Sequence, residues 1–381
     1  MQDSDSHGHG SGSGILDPSD PRPSVRRALV AWLRLQAALC LSPVLARECL
    51  EATGGDPVAA LARSHRPAPP SSAKAEAWVR SLGRLGVCAV PLTAPEYPAG
   101  LRALSDPPPL LLVRGEISDL SRPAVAIVGA RAATRYGRGV AEELGAAIAG
   151  AGLVVISGLA RGVDAAAHRG ALAIGGRSAA IMGSGHDRVY PPEHADLAAR
   201  ISRSGAVVSE LPLGRPPAAS HFPLRNRLIS GLVQAVVVVE ARHRSGSLIT
   251  ARHALNQGRE VLVVPGPIDS AHSAGSNALL RDGARPVLDA SDVLDAVSPF
   301  QVGPSLAERL PGPADPDQAR IHALVVEQPV DRDTLSRDLA WPEGRLALAL
   351  MSLEMEGWLE LDRDGRLYGV SASRRRLRDR G

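Results

Sequence analysis

The stretch AVAIVGARAATRYGRGVAEELGAAIAGAGLVVIS (124–157) decides the fold. It opens on an apolar run, crosses a glycine-bearing loop, continues as an Ala-rich segment with apolar residues at helical spacing, and closes on a second apolar run. Strands apolar on every side belong in a parallel sheet covered by helices on both faces; a strand with one wet face would alternate. The same cadence recurs outward in SAAIM (178–182), AVVSE (206–210), AVVVVE (235–240) and EVLVVPG (260–266). Between these runs lie Ala-rich segments such as GVDAAAHRGALAIG (162–175) and SLITARHALNQG (247–258). Repeated strand, loop and helix predicts an α/β domain with an extended Rossmann-like, doubly wound, mostly parallel sheet over residues 96–297.

The flanks read differently. Residues 1–24 are dominated by Gly, Ser, Asp, His and Pro, too polar to offset the entropy of ordering, and are expected to form a disordered tail. Leu29, Trp32, Leu33, Leu35 and Leu39 recur at helical spacing and open a small helical domain, 25–95, of the sterile-α-motif or helix–hairpin–helix kind. Residues 298–316 are rich in Pro and Gly and read as a linker. Over 317–371, Asp331 or Asp333 can cap a short helix, Pro342 suits the first turn of a longer one, and Asp364-Gly365 suits a hairpin. That pattern predicts a winged-helix-like module, followed by a basic tail (372–381).

The 381 residues (39.7 kDa) are 44% hydrophobic, 22% charged and 3% aromatic, which excludes wholesale disorder. Forty-three basic against 40 acidic residues leave a net charge of +3, so any anion-binding surface must come from local clustering. Lys74 is the single lysine, which makes the cationic chemistry almost wholly that of arginine. Cys40, Cys49 and Cys88 are scattered, without metal-ligand spacing, and are expected to be reduced thiols in a cytoplasmic protein. No apolar run approaches the length of a bilayer span, and no metal or cofactor is expected.

Ligands of a doubly wound sheet bind beyond the carboxyl ends of its strands, so those loops carry the functional reading. In GARAATRYG (129–137), Arg131 stands where a dinucleotide fingerprint needs its second glycine; this disfavours NAD and offers a guanidinium fork to a phosphate. SGLARGVD (157–164) adds Arg161; its Asp164 and the following His168 suit capping and packing better than catalysis. GSGHDRVYPP (183–192) places His186, Asp187 and Arg188 in one turn but lacks a nucleophile elbow. FPLRNRLISG (222–231) brings Arg225, Asn226 and Arg227, and ARHRSGSLIT (241–250) brings Arg244 to a helix start. Several separate cationic loops along one edge suit a run of backbone phosphates, with Tyr136, Tyr190 and Phe222 as the nearby aromatics able to stack bases.

The strings YPAGLRALSDPPPLLLVRGE, AIVGARAATRYG, ISGLARGVDAAAHRGAL, GSGHDRVYPPEHADLAARI, SELPLGRPPAASHFPLRNRLISGL, VVVEARHRSGSLITARHALNQGREVLVVPG and GSNALLRDGA run in order from Tyr97 to Ala284. Together they resemble the DprA/Smf family of bacterial DNA-processing proteins. The resemblance implies a non-enzymatic protein that binds and protects single-stranded DNA, forms homodimers, and loads the recombinase RecA during natural transformation and homologous recombination. Carried over by motif, Arg131, Arg161, Arg188, Arg225 and Arg227 are expected to contact phosphates. Gly129, Gly158, Gly183 and Gly185 are expected to allow close backbone approach, with Ser157, Asn226, Arg244, Ser245 and Ser247 completing the site. The family often has serine where Ala130 stands, which removes one hydroxyl donor. The segment 276–287 resembles the family's self-association region. A phosphoribohydrolase-type nucleotide enzyme is the alternative on this kind of sheet, but its PGGxGTxxE pattern is missing. The longer C-terminal helix, PEGRLALALMSLEMEG (342–357), has Arg345 as its one basic residue, which favours protein contact over groove binding.

Overall fold

The computed structural model describes residues 14–65, 69–297, 313–327, 330–361 and 365–370. The expected linker, except its last four residues, and the basic tail, together with residues 1–13, lie outside them. A nine-stranded sheet organises the chain: β1 (Val87–Pro91), β2 (Leu110–Gly115), β3 (Ala124–Val128), β4 (Val154–Ser157), β5 (Ser178–Met182), β6 (Ala206–Ser209), β7 (Ala235–Val238), β8 (Glu260–Val263) and β9 (Arg285–Pro286). Its order is β1-β2-β6-β5-β4-β3-β7-β8-β9. All pairs from β6 to β9 are parallel, whereas β1 and β2 join antiparallel at one edge.

The six apolar runs read from sequence become β3 to β8. Their lack of alternation has the expected cause, since Ala124, Ala126 and Val128 enter one core while Val125 and Ile127 enter the core on the opposite face. Helices Arg135–Gly150 and Val163–Ala173 cover one of these faces. They pack closely because a Cβ on Gly170 would strike the Glu142 carbonyl, so glycine is the residue that fits.

Two sequence expectations need correction at the N-terminal side. The tail does not extend to residue 24: Leu16 forms an antiparallel bridge with Ala89, and helix Pro23–Leu39 has already begun. The helical span 25–95 also contains β1, which belongs to the sheet. Helices Pro23–Leu39, Pro43–Glu51, Pro57–Arg63 and Ser72–Leu85 bury Leu29, Leu33, Leu39 and Leu82 against Val87, Ala89, Leu110 and Leu112 of β1 and β2. The Gln36 amide donates to the Leu110 and Glu210 carbonyls (3.3 and 3.0 Å), fastening this helical module to the antiparallel edge.

At the C-terminal end, helices Pro316–Glu327, Arg332–Leu339 and Glu343–Met355 and the hairpin β10 (Leu359–Leu361) and β11 (Leu367–Gly369) enclose Ile321, Leu335, Leu346, Leu353 and Trp358. Three helices and a two-stranded ribbon make a winged helix. Asp331 caps the second helix by accepting from the Thr334 N–H at 2.8 Å. No helix among the described residues is long and apolar enough to cross a membrane.

Candidate nucleic-acid interface

The order of the parallel strands reverses between β3 and β7, whose connections run to opposite sides of the sheet. Such a switch point leaves a crevice beyond the strand ends, because the two flanking loops diverge. A cavity of about 710 Å³ opens there.

Its walls come from five segments, one of them the turn after β5 through Tyr190. The loop after β3 contributes Gly129 and Arg131, the loop after β7 contributes Arg242, Arg244 and Ser245, and the helix that follows contributes Ser247. Asp164 lines it from the start of helix Val163–Ala173; Phe222, Arg225 and Asn226 come from helix His221–Gly231. The Arg131 guanidinium lies 4.6 Å from the centroid of the Phe222 ring, a cation–π contact that holds an exposed cation over an aromatic face. Tyr190 approaches the same ring at 5.8 Å.

Arg225 is buried and donates to the Ile181 carbonyl at 2.6 Å. Desolvation lowers its pKa to about 10 against the favourable field of Asp164, so it remains charged at neutral pH. Burial raises the Asp164 carboxyl, opposed by Arg225 and by the Ala160 and Gly158 N–H groups that donate to it at 3.3 and 3.2 Å. Asn226 donates to the Gly246 carbonyl at 3.1 Å and ties two walls together. Ser245 caps helix Gly246–Asn256, accepting from the Ser247 N–H, and its hydroxyl meets that of Ser247 at 2.7 Å.

Glu240 ends the β7 run and is buried. It accepts from the Thr134 N–H at 2.9 Å and from the Thr134 hydroxyl, binding the loop after β7 to the start of helix Arg135–Gly150. A Cβ on Gly137 would meet the same carboxylate, which requires glycine there. Leu159 holds φ +61° in the loop after β4, a left-handed conformation rare for a branched side chain, and its side chain is fully buried.

The remaining expected residues divide sharply. Gly158 and Arg161 line a small pocket next to the cavity, together with Arg131, Tyr190 and Phe222. Arg161 is exposed and ion-paired with Glu193, and Arg188 is exposed with Asp187 at 3.9 Å; neither lines the cavity. Arg227 is the clear correction. Its side chain is 3% exposed and ion-paired with Glu210 and Asp106, both at 2.7 Å, so two carboxylates already occupy the fork meant for phosphate. Ser157 is also withdrawn as a direct contact, since it is buried and donates to the Ile127 carbonyl.

Neighbouring protein groups also hold the expected glycines to their size. Beside Gly129 lies the Val163 side chain, beside Gly158 the Arg225 guanidinium, and beside Gly183 the Phe222 ring. Gly185 abuts the Pro212 carbonyl and the Asp187 carboxylate. All four make room for protein groups, and those beside Gly158 and Gly183, Arg225 and Phe222, line the cavity. His168 and His186 are interior groups, His168 Nδ1 against the Ser178 hydroxyl (2.7 Å) and His186 Nε2 against the Leu112 carbonyl (2.9 Å). Arg242 is the cavity cation that the sequence reading missed; its place at the start of an already noted loop was the available signal.

The chain has counterparts among known proteins. A family profile described as DNA recombination-mediator protein A matches residues 89–298, and one for the DprA winged helix domain matches 305–365. Protein Smf of Escherichia coli (strain K12) is 39% identical over 280 residues, covering 71% of this chain and 74% of that protein. DNA processing protein DprA of Bacillus subtilis (strain 168) is 37% identical over 211 residues, covering 55% and 71%. The X-ray structure of DprA from Streptococcus pneumoniae shares 31% identity at a TM-score of 0.59, covering 71% of this chain and 97% of that one. A structure of DNA processing protein A from Helicobacter pylori, described as giving insight into its single-stranded DNA binding mode, shares 29% identity at a TM-score of 0.51, covering 54% and 94%. With one profile spanning more than half of its length, and with three-quarters of the E. coli protein covered, this chain belongs to the DNA recombination-mediator protein A family, known as DprA or Smf.

Proposed function

We propose that the protein binds single-stranded DNA in the switch-point cavity, shields it, and passes it to RecA during DNA uptake and homologous recombination in the cytoplasm. The observation that carries this reading is the Arg131 guanidinium laid on Phe222 in a cavity also walled by Arg225, Arg242 and Arg244. Guanidinium forks take phosphate oxygens, and the Ser245 and Ser247 hydroxyls add neutral donors. Phe222 and Tyr190 offer ring surface to bases, and stacking tolerates any base, so recognition is of the backbone with little sequence preference. The Helicobacter pylori relative supports the same substrate class.

A binding role without turnover fits the carboxylates present. Asp164 and Glu240 already accept from backbone N–H groups or Thr134, which leaves each engaged as a brace and poorly placed as a general base. The protein acts as a homodimer through 276–287, where helix Ala274–Arg281 and edge strand β9 lie beside exposed Leu288. The winged helix contacts protein: Arg345 is ion-paired with Asp317, and Leu348, Met351 and Met355 form an exposed apolar stripe on its longest helix.

The test is fluorescence anisotropy with labelled oligo-dT across a salt series, with RecA filament formation on DNA coated by single-strand binding protein as the second stage. Binding that weakens steeply with salt, and faster filament growth with the protein present, are expected. Salt-independent binding or equal affinity for duplex would overturn the first stage, and unchanged filament growth the second.

A further inference from the structure

At about 710 Å³ the cavity falls in the roughly 300–1,000 Å³ range of sites that enclose one compact ligand. Single-strand sites extend over about 4–16 nucleotides, so a bound strand must leave the cavity and continue across the surface. Two exits present themselves. Toward Arg161 and Arg188 the cations are already matched by Glu193 and Asp187. Along the loops after β3 and β7, Arg135, Arg242 and Arg244 are exposed, and among the described residues none of the three has a carboxylate within ion-pair distance.

On that second path stands Tyr136, 56% exposed in the first turn of helix Arg135–Gly150. The bonds from Thr134 to Glu240 hold this turn against the loop that carries Arg242 and Arg244. Residues three and four apart on a helix are neighbours, and those of Tyr136 are Val140 and Gly139, whose missing Cβ faces open space. Gly137 is required by Glu240, but no packing contact requires Gly139, and glycine inside a helix costs stability. Tyr136 is thus exposed beside Arg135, on the turn that Glu240 ties to the loop carrying Arg242 and Arg244.

We infer that Tyr136 is a second base-stacking position, reached by the strand after it leaves the Arg131–Phe222 cavity over Arg242, Arg244 and Arg135. This rests on the single-stranded DNA reading above and adds a direction to it. Five residue steps lead from Arg131 to Tyr136, at most about 18 Å of chain, which a few nucleotides span.

The experiment compares the full-length protein with Tyr136→Ala and Tyr136→Phe by anisotropy, using dT4 and dT12, with Arg131→Ala beside them. Tyr136→Ala should weaken dT12 binding about five- to tenfold and dT4 binding less than about twofold, while Tyr136→Phe keeps dT12 binding within about twofold. Photocrosslinking of dT12 substituted with 5-iododeoxyuridine, followed by mass spectrometry, should give an adduct on Tyr136. Equal dT12 affinities for wild type and Tyr136→Ala, or adducts confined to the Arg161 and Arg188 side, would overturn the inference. If Arg131→Ala alone loses dT12 binding, the cavity stands and the path is wrong; if the wild type binds no oligonucleotide, the underlying reading has failed.

Discussion

Arg131 and Arg227 stand at two depths of one domain, and the contrast between cavity rim and interior separates recognition from support. At the rim, Arg131 lies on Phe222 and Arg244 is exposed with no ion pair among the described residues, so each can exchange water for a phosphate. In the interior, Arg227 is enclosed with Glu210 and Asp106, and its charge is spent holding helix His221–Gly231 to the end of β6. Arg225 falls between them, buried like Arg227 yet lining the cavity like Arg131. The same side chain thus does different work according to which charges reach it first.

The strongest challenge to this division is Arg227→Ala, which leaves Glu210 buried and unpaired. Its expected cost is about 3–5 kcal/mol of stability, read as a lower urea midpoint, with DNA affinity falling only as far as the folded fraction falls. A midpoint equal to wild type would place Arg227 among the rim residues.

Acid should likewise attack the interior before the rim. Burial lowers the His168 pKa to about 3 and that of His186 to about 4, against an unfolded value near 6.5. Below about pH 6.5 the unfolded chain takes up protons that these folded imidazoles refuse, so the stability these two groups contribute falls as pH drops toward 4. The slope is up to about 1.4 kcal/mol per pH unit for each histidine and fades above about pH 7. Urea midpoints at pH 7 and pH 5 measure this, and His168→Asn, whose amide can still meet Ser178, should remove about half of the difference.

At the rim the effect should be on affinity alone. Arg131→Ala is expected to weaken oligo-dT binding about tenfold and to reduce the slope of log affinity against log salt by about one, with the urea midpoint unmoved. A destabilised Arg131→Ala protein would blur the distinction. Arg188→Ala gives the smallest effect, less than about twofold in affinity, because its guanidinium is exposed, lies near Asp187 and does not line the cavity. A loss matching that of Arg131→Ala would move the binding surface to the turn after β5.

The rim was more legible than the interior for a physical reason. Placement of ligands beyond strand ends follows from strand order, and β3 to β8 each announced themselves as short runs apolar on both faces. VCAVP (87–91) and LLLVRG (110–115) did not, since one follows a helical pattern and the other a proline run, and the two-residue β9 is too short to carry any pattern. Phe222 was visible as one of only two phenylalanines, but its pairing with Arg131 joins residues 91 positions apart.

By itself the sequence determined the parallel sheet, the loops that bear cations and the winged helix, because hydrophobic periodicity, glycine placement and capping residues are local properties written a few positions apart. Only the tertiary structure decided which arginines are free. That depends on the carboxylates brought to them from elsewhere in the chain, Glu210 and Asp106 to Arg227 and Glu193 to Arg161, and on how much water burial leaves around each guanidinium.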